Sequence, residues 1–260
     1  MTALLIDLDG VLYEGSRAVP GAAETITWLR EQDIPHLFLT NTTSRPRNSI
    51  VRKLARLGID ADEAGILTPP VAAAKWLADN APGPAALFVA AETTADFTPL
   101  EIAGEHPDEV AAVVVGDYGE RWTFAEMNRA FRLLMATPPP VLVALGMTRY
   151  WRAEDGLRLD TAPFVTALSH ASGVEPIVLG KPAKPFFETA LKLLGSTAAE
   201  TVMIGDDIRG DIGGAGAAGM AGILVRTGKF RDEDLDGGIA PDRVIDSIAD
   251  LPAAIEDMET

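Results

Sequence analysis

The chain has 260 residues, 47% of them hydrophobic, which is ample for a packed core and argues against disorder. It contains no cysteine, so disulfides, thiolate metal sites and a cysteine nucleophile are excluded. Its 38 acidic and 22 basic residues leave a net charge of −16, a surface that repels nucleic acid and anionic membranes. No basic segment precedes the first apolar run, and no apolar run approaches the ~20 residues that span a bilayer. The expectation is a cytoplasmic protein with no membrane and no nucleic-acid partner.

Ala3 to Ile6 is apolar without alternation, which predicts a strand buried on both faces, as in a parallel sheet. It runs into Asp7-Leu8-Asp9-Gly10. Carboxylates two apart on an extended chain project the same way, and Gly10 permits a sharp departure of the backbone. Acids at the carboxyl end of such a strand stand where open α/β sheets place their chemistry. Tyr13 to Gly21 is turn-rich and predicts a short flap over the strand end. Ala22 to Gln32 predicts a helix. His36 to Leu39 predicts a second strand, ending in Thr40-Asn41-Thr42. Ser49 to Leu57 is a helix stopped by Gly58, and Pro70 to Asn80 is another. This alternation implies right-handed crossovers and a parallel sheet.

Pro82-Gly83-Pro84 marks a domain boundary. Beyond it, Ala85 to Ala90, Val110 to Val115 and Val141 to Leu145 read as strands. Phe124 to Met135 reads as a helix with Phe124, Met127, Phe131 and Leu134 on one stripe, and Phe164 to Ser172 as a helix closed by Gly173. Residues 82–177 therefore form a second α/β domain inserted into the first. Its aromatic pair Tyr150-Trp151 serves the domain's core, a dimer contact or the substrate. The first domain, 1–81 and 178–260, resumes with Ile177 to Leu179, a short strand leading to Lys181. Phe186 to Gly195 is a helix, and Thr201 to Ile204 a strand delivering Gly205-Asp206-Asp207 and Asp211. Strands at Ala221 to Val225 and Arg243 to Ile245 and a helix over Ile248 to Met258 complete it. Gly214-x-Gly216-x-x-Gly219 matches the dinucleotide fingerprint, which must begin at a strand-to-helix turn. Gly214 lies well beyond Gly205, inside an expected helix, where small residues serve close packing.

Strand ends thus carry Asp7 and Asp9; Thr40 and Asn41; Lys181; and Asp206, Asp207 and Asp211. Singly, Thr40-Asn41 also begins a turn, a lone lysine is solvated, and Asp211 caps a helix. Their order and shared position after strands carry the reading. In one parallel sheet all face one crevice, where so many carboxylates resist ionisation unless a cation joins them. Oxygen donors without histidine or cysteine suit a hard ion, and Mg²⁺ where phosphate is also bound. None of His36, His106 or His170 belongs to the set.

Asp7-x-Asp9-Gly10, Thr40, Lys181 and Gly205-Asp206-Asp207-x-x-x-Asp211 resemble, in order, the motifs of the haloacid dehalogenase superfamily of aspartate-nucleophile phosphatases. The likeness covers essentially the whole chain. It implies a Rossmann-like parallel sheet core carrying an inserted α/β C2-type cap, and Mg²⁺-dependent hydrolysis of a small phosphorylated substrate. By the same resemblance Asp7 is the nucleophile that becomes an aspartyl-phosphate, and Asp9 is the acid and base. Mg²⁺ is held by the Asp7 carboxylate, the Asp9 carbonyl and Asp206. Lys181 and Thr40 neutralise the phosphoryl oxygens, while Asn41 and Thr42 contact phosphate or substrate. Asp207 and Asp211 orient waters and Lys181. The cap loops with Arg149, Tyr150 and Asp160 to Pro163 choose the substrate, and a homodimer forms through the cap. Competing readings are a phosphate-receiving or binding protein of this fold without turnover, and a dehalogenase, which needs neither Mg²⁺ nor the last acidic cluster.

Overall fold

In the computed structural model, which describes residues 3–104, 109–153 and 155–258, the first apolar run forms β1 (Ala3–Asp7), buried along its whole length. His106 lies outside the described residues. The expected flap is a two-stranded hairpin, β2 (Tyr13–Glu14) and β3 (Arg17–Ala18). Helix α1 (Ala22–Glu31) buries Ala22, Thr25, Ile26 and Leu29, the 3–4 spacing of a helix with one core face. It leads to β4 (His36–Leu39), α2 (Arg47–Arg56) and the two-residue β5 (Ile66–Leu67).

The chain then builds α3 (Pro69–Asn80), β6 (Ala85–Phe88), β7 (Ala112–Val115), α4 (Phe124–Leu134) and β8 (Val141–Ala144). A hairpin of β9 (Tyr150–Ala153) and β10 (Gly156–Leu159) follows, then α5 (Thr161–Ser172) and β11 (Pro176–Val178). The last part contains α6 (Lys184–Leu194), β12 (Thr201–Gly205), a π-helical segment over Ile208–Gly213, and α7 (Gly214–Ala217). It closes with β13 (Ala221–Val225), β14 (Arg243–Ile245) and α8 (Leu251–Met258).

Contacts divide these elements into two compact units, Met1–Thr40 with Asn48–Leu67 and Lys181–Thr260, and Asn41–Arg47 with Thr68–Gly180. The first holds a six-stranded, wholly parallel sheet in the order β14-β13-β12-β1-β4-β5. One face of this sheet packs Leu4, Ile6, Phe38, Val202, Ile204 and Ile223 into a single core with Ile26, Leu29, Ile50, Leu54 and Leu251. The second holds a four-stranded parallel sheet in the order β11-β8-β7-β6. Its core joins Phe88, Val113, Val115, Leu142, Val165 and Leu168. Trp122 stacks between Phe88 and Phe164, at centroid distances of 5.4 and 5.0 Å.

Two boundaries differ from the sequence expectation. Helix α3, buried from Pro69 to Ala74, packs on the helical turn Ala91–Phe97, so the main stretch of the second unit begins at Thr68 rather than at the Pro-Gly-Pro break, and Asn41–Arg47 joins it. Strand β11, expected to resume the first sheet, pairs in parallel with β8 of the second, and the first unit resumes at Lys181. The stripe on α4 is also narrower than its spacing implied. Ala130 and Leu134 are buried, but Phe124, directly after the Thr123 cap, is 83% exposed. Gly214 does lie in a helix, beyond a strand that ends at Gly205. A Cβ there would stand 2.6 Å from the Phe187 ring and 2.9 Å from Pro182, so the glycine serves close packing. Among the described residues no helix is long and apolar enough to cross a membrane.

Candidate active site

The order of the first sheet turns at β1. The chain leaves β1 for β4 on one side and later returns to β12 on the other. Crevices form at the carboxyl ends of strands where order reverses in this way. Asp7 ends β1 and pairs in register with Leu39, which places Thr40 one residue further along the neighbouring strand. Asp206 leaves β12 on the opposite side, and Asp211 follows in the π-helical segment, a wide turn of the kind often found at functional positions.

Asp7, Asp206, Asp211, Lys181 and Thr40 are all buried. Lys181 Nζ lies 2.6 Å from Asp7 Oδ1 and 2.6 Å from Asp211 Oδ1. Because β11 belongs to the other sheet, Lys181 is not at the end of a strand of the first sheet; it precedes α6 in a short connection. Among the described residues, Asp7, Asp206 and Asp211 have carboxylate oxygens within 4.8 Å of one another. Gly205 permits this approach, since a Cβ on it would fall 2.3 Å from the Asp211 Cβ. The acid that caps the following helical segment is Asp207, whose Oδ1 accepts the N–H groups of Arg209 (3.0 Å) and Gly210 (2.8 Å). Its other oxygen lies 3.2 Å from Lys229 Nζ. Asp211 Oδ2 accepts the Asp207 N–H at 3.1 Å.

Burial raises the pKa of Asp7, against the opposing pull of Lys181. Burial also pushes Asp206 up to about 6, with Asp211 adding to the effect. Asp211 rises to about 6 through burial, with Lys181 opposing and Asp7 adding. For Lys181, burial disfavours the charge, but Asp211 and Asp7 outweigh it and hold the ammonium protonated. Asp207 moves the other way: the N–H of Gly210 and the Lys229 charge overcome its burial and lower its pKa.

These residues fit a hard divalent cation. Lys181 and Lys229 are two ammonium groups against the four carboxylates of Asp7, Asp206, Asp207 and Asp211, which leaves excess negative charge when all are ionised. Asp206 Oδ2 accepts the Lys229 N–H at 2.7 Å, whereas its Oδ1 is buried without a hydrogen-bond partner among the described residues. Such an acceptor is costly unless satisfied, and an all-oxygen donor set suits Mg²⁺.

The remaining expected residues are placed differently. Asp9 follows the fully buried Leu8, yet its own side chain is exposed, so the two acids of the first motif occupy unlike environments. Asn41 and Thr42 belong to the second unit, Asn41 exposed and Thr42 half-buried. Arg149 and Tyr150 are exposed at the start of the β9–β10 hairpin, with the Arg149 guanidinium 5.9 Å from the Tyr150 ring centre. Trp151 is 46% exposed and lies outside the packed core. It lines a cavity of about 470 Å³ in the second unit with Asp117, Trp122, Arg158, Asp160 and Phe164. Three residues given no role from the sequence stand at the first unit's site. Lys229 and Gly228 follow β13, and Glu14 lies on β2. The position of Lys229 after a strand adjoining β12 was the available signal.

The chain is similar to known proteins over most of its length. Residues 4–99 match the haloacid dehalogenase-like hydrolase family model, and residues 178–251 match a related HAD-hydrolase-like model. The chain is 37% identical over 235 residues to human phospholysine phosphohistidine inorganic pyrophosphate phosphatase, covering 89% of this chain and 85% of that protein. It is 40% identical over 236 residues to the bovine haloacid dehalogenase-like hydrolase domain-containing protein 2, covering 91% and 88%. The p-nitrophenyl phosphatase from Archaeoglobus fulgidus superposes with a TM-score of 0.86 at 28% identity, over 97% of this chain and 98% of that one. With its sheet order, its buried Asp–Lys cluster and these likenesses, the chain belongs to the haloacid dehalogenase-like hydrolase family.

Proposed function

We propose that the chain is a Mg²⁺-dependent phosphatase that hydrolyses small phosphorylated molecules through an aspartyl-phosphate on Asp7. The carrying observation is the buried cluster: Lys181 2.6 Å from each of two aspartates, beside a third whose Oδ1 lacks a hydrogen-bond partner among the described residues. The names of the human relative and the archaeal structure support the same reaction class.

As a carboxylate, Asp7 needs no base to activate it. Lys181 favours its ionised form against burial. An Asp7 oxygen bonds to phosphorus, the bond from phosphorus to the leaving oxygen breaks, and Asp9 donates its proton to that oxygen. Water then attacks phosphorus while the Asp9 carboxylate takes its proton. The bond to Asp7 breaks, and phosphate leaves with both acids restored. Lys181, the Thr40 hydroxyl and nearby backbone N–H groups neutralise the phosphoryl oxygens. Mg²⁺, held by the Asp7 and Asp206 carboxylates and the Asp9 carbonyl, would offset the repulsion between the attacking carboxylate and the phosphoryl group. Asp211 holds Lys181 in place, and Asp207 shapes the turn that presents Asp211. Asn41, Thr42, Arg149 and Tyr150 are assigned to substrate recognition, with the second unit as the cap.

The test is phosphate release from p-nitrophenyl phosphate and a broad panel of phosphometabolites, with Mg²⁺ and with excess chelator. Mg²⁺-dependent release that disappears in Asp7→Asn is expected. Full activity in chelator contradicts the reading. Stable phosphorylation without turnover favours the phosphate-receiving alternative.

A further inference from the structure

The segment after Asp9 and the loop after β13 touch through bare backbone. Gly10 and Gly228 have φ of 91° and 67°, in the left-handed region, and a Cβ on Gly228 would stand 2.5 Å from Gly10 Cα. Asp206 Oδ2 lies against both: a Cβ on Gly10 would fall 1.9 Å from it, and one on Gly228 2.1 Å from it. Two side chains tie the segments together. Glu14 Oε1 accepts the Gly228 N–H at 2.8 Å, and Thr227 Oγ1 donates to the Gly10 carbonyl at 2.5 Å. The next peptide, that of Lys229, donates its N–H to Asp206 Oδ2 at 2.7 Å.

The flap supplying Glu14 is itself anchored. Tyr13 is buried with the Lys53 ammonium 3.4 Å from its ring centre, and its carbonyl accepts the Gly10 N–H at 2.8 Å. Alternation along β2 then turns Glu14 away from Tyr13, toward the loop it binds.

We propose that Glu14 is a positioning residue for the cation site: by holding the Gly228–Lys229 backbone, it fixes Asp206 with Oδ2 engaged and Oδ1 left for the metal. The inference deepens the metal-dependent reading and rests on it. Among the described residues no side-chain donor holds Asp206; the Lys229 N–H is its hydrogen bond, and Glu14 acts one peptide upstream. A carboxylate accepting a backbone N–H is among the stronger neutral-donor bonds, and its loss is felt where the partner must stay ordered.

The test is Mg²⁺ affinity, read by isothermal titration and by the rise in melting temperature with Mg²⁺, so no turnover is required. Glu14→Ala should bind Mg²⁺ about three- to tenfold more weakly, the factor expected for one such hydrogen bond. At saturating Mg²⁺ its kcat should recover. Glu14→Gln, which keeps an acceptor oxygen, should restore most of the affinity. Unchanged Mg²⁺ affinity in Glu14→Ala overturns the proposal, as does an equal loss in Glu14→Gln. Amide hydrogen exchange in the metal-free protein separates this failure from failure of the metal reading. Faster exchange at both Gly228 and Lys229 in Glu14→Ala is expected even if the wild-type chain binds no Mg²⁺, and unchanged exchange at Lys229 overturns the proposal by itself.

Discussion

The two units share one plan, a parallel sheet flanked by helices, yet treat acidic side chains in opposite ways. In the second unit three acids are matched locally. Buried Asp96 pairs with Arg47 at 3.2 Å, Asp155 with Arg158 at 2.7 Å, and Asp160 caps α5 through the Thr161 N–H at 2.7 Å. In the first unit the buried Asp7, Asp206 and Asp211 crowd together, and Lys181 pairs with only two of them, so the cluster is less neutralised. Burying charge without full compensation is costly for a fold, so an uncompensated cluster is a strong pointer to chemistry. The common architecture carries no such information, because function resides in what occupies the strand ends.

Breaking the charged cluster should have the largest effect. Lys181→Met leaves buried carboxylates facing one another, and a loss of about 3–5 kcal/mol of stability at neutral pH is expected from urea unfolding. Its kcat for phosphate release should fall about a hundredfold or more. Wild-type stability and turnover in this variant would remove the basis for the contrast. In the second unit the equivalent blow is apolar. Trp122→Ala empties the stack between Phe88 and Phe164 and should cost about 3 kcal/mol. Trp122→Phe should cost far less, because it keeps a ring and deletes a buried indole N–H that has no hydrogen-bond partner among the described residues.

A smaller effect separates the units by pH. Asp206 and Asp211 have folded-state pKa values raised to about 6, so between the ordinary carboxylate range and pH 6 the folded chain holds protons that the unfolded chain has released. Their contribution to stability is therefore greatest at low pH and declines as pH rises through about 6, opposite in sign to a salt-bridged carboxylate. Mg²⁺ should raise the melting temperature more at pH 7.5 than at pH 5, by about 2–4 °C in a scanning fluorimetry comparison. Asp206→Asn should reduce that difference, and equal stabilisation at both pH values would contradict the assignment. The smallest effect is expected at Trp151→Ala, within about 0.5 kcal/mol by the same unfolding assay, since that ring is exposed beside a cavity rather than packed in the core.

Much of the first unit was legible in the chain. Unalternating apolar runs specify β1 and β12 because both faces of those strands are covered, and Gly195 closes its helix in the left-handed conformation, as Gly173 does in the second unit. The two-residue β5 and the β9–β10 hairpin escaped notice because one is too short for a period and the other, with mostly exposed side chains, has no apolar face to pattern. Strand β11 was legible as a strand but not as a neighbour of β8, since sheet membership is a long-range property. Asp211 read as the acid capping the following segment, whereas Asp207 does so. The choice between them depends on how the chain leaves Gly205, which no local pattern records. Glu14 carried no signal, because its role depends on a loop more than two hundred residues away.

The most direct test of the central claim is to mix the enzyme with a small phosphorylated substrate and Mg²⁺, quench it with acid during turnover, and map the peptides by mass spectrometry. The account predicts a transient phosphoryl adduct on the peptide containing Asp7, formed and lost fast enough to support turnover and absent from Asp7→Asn. Turnover with no adduct on Asp7, or phosphate release at an undiminished rate in Asp7→Asn, would contradict it.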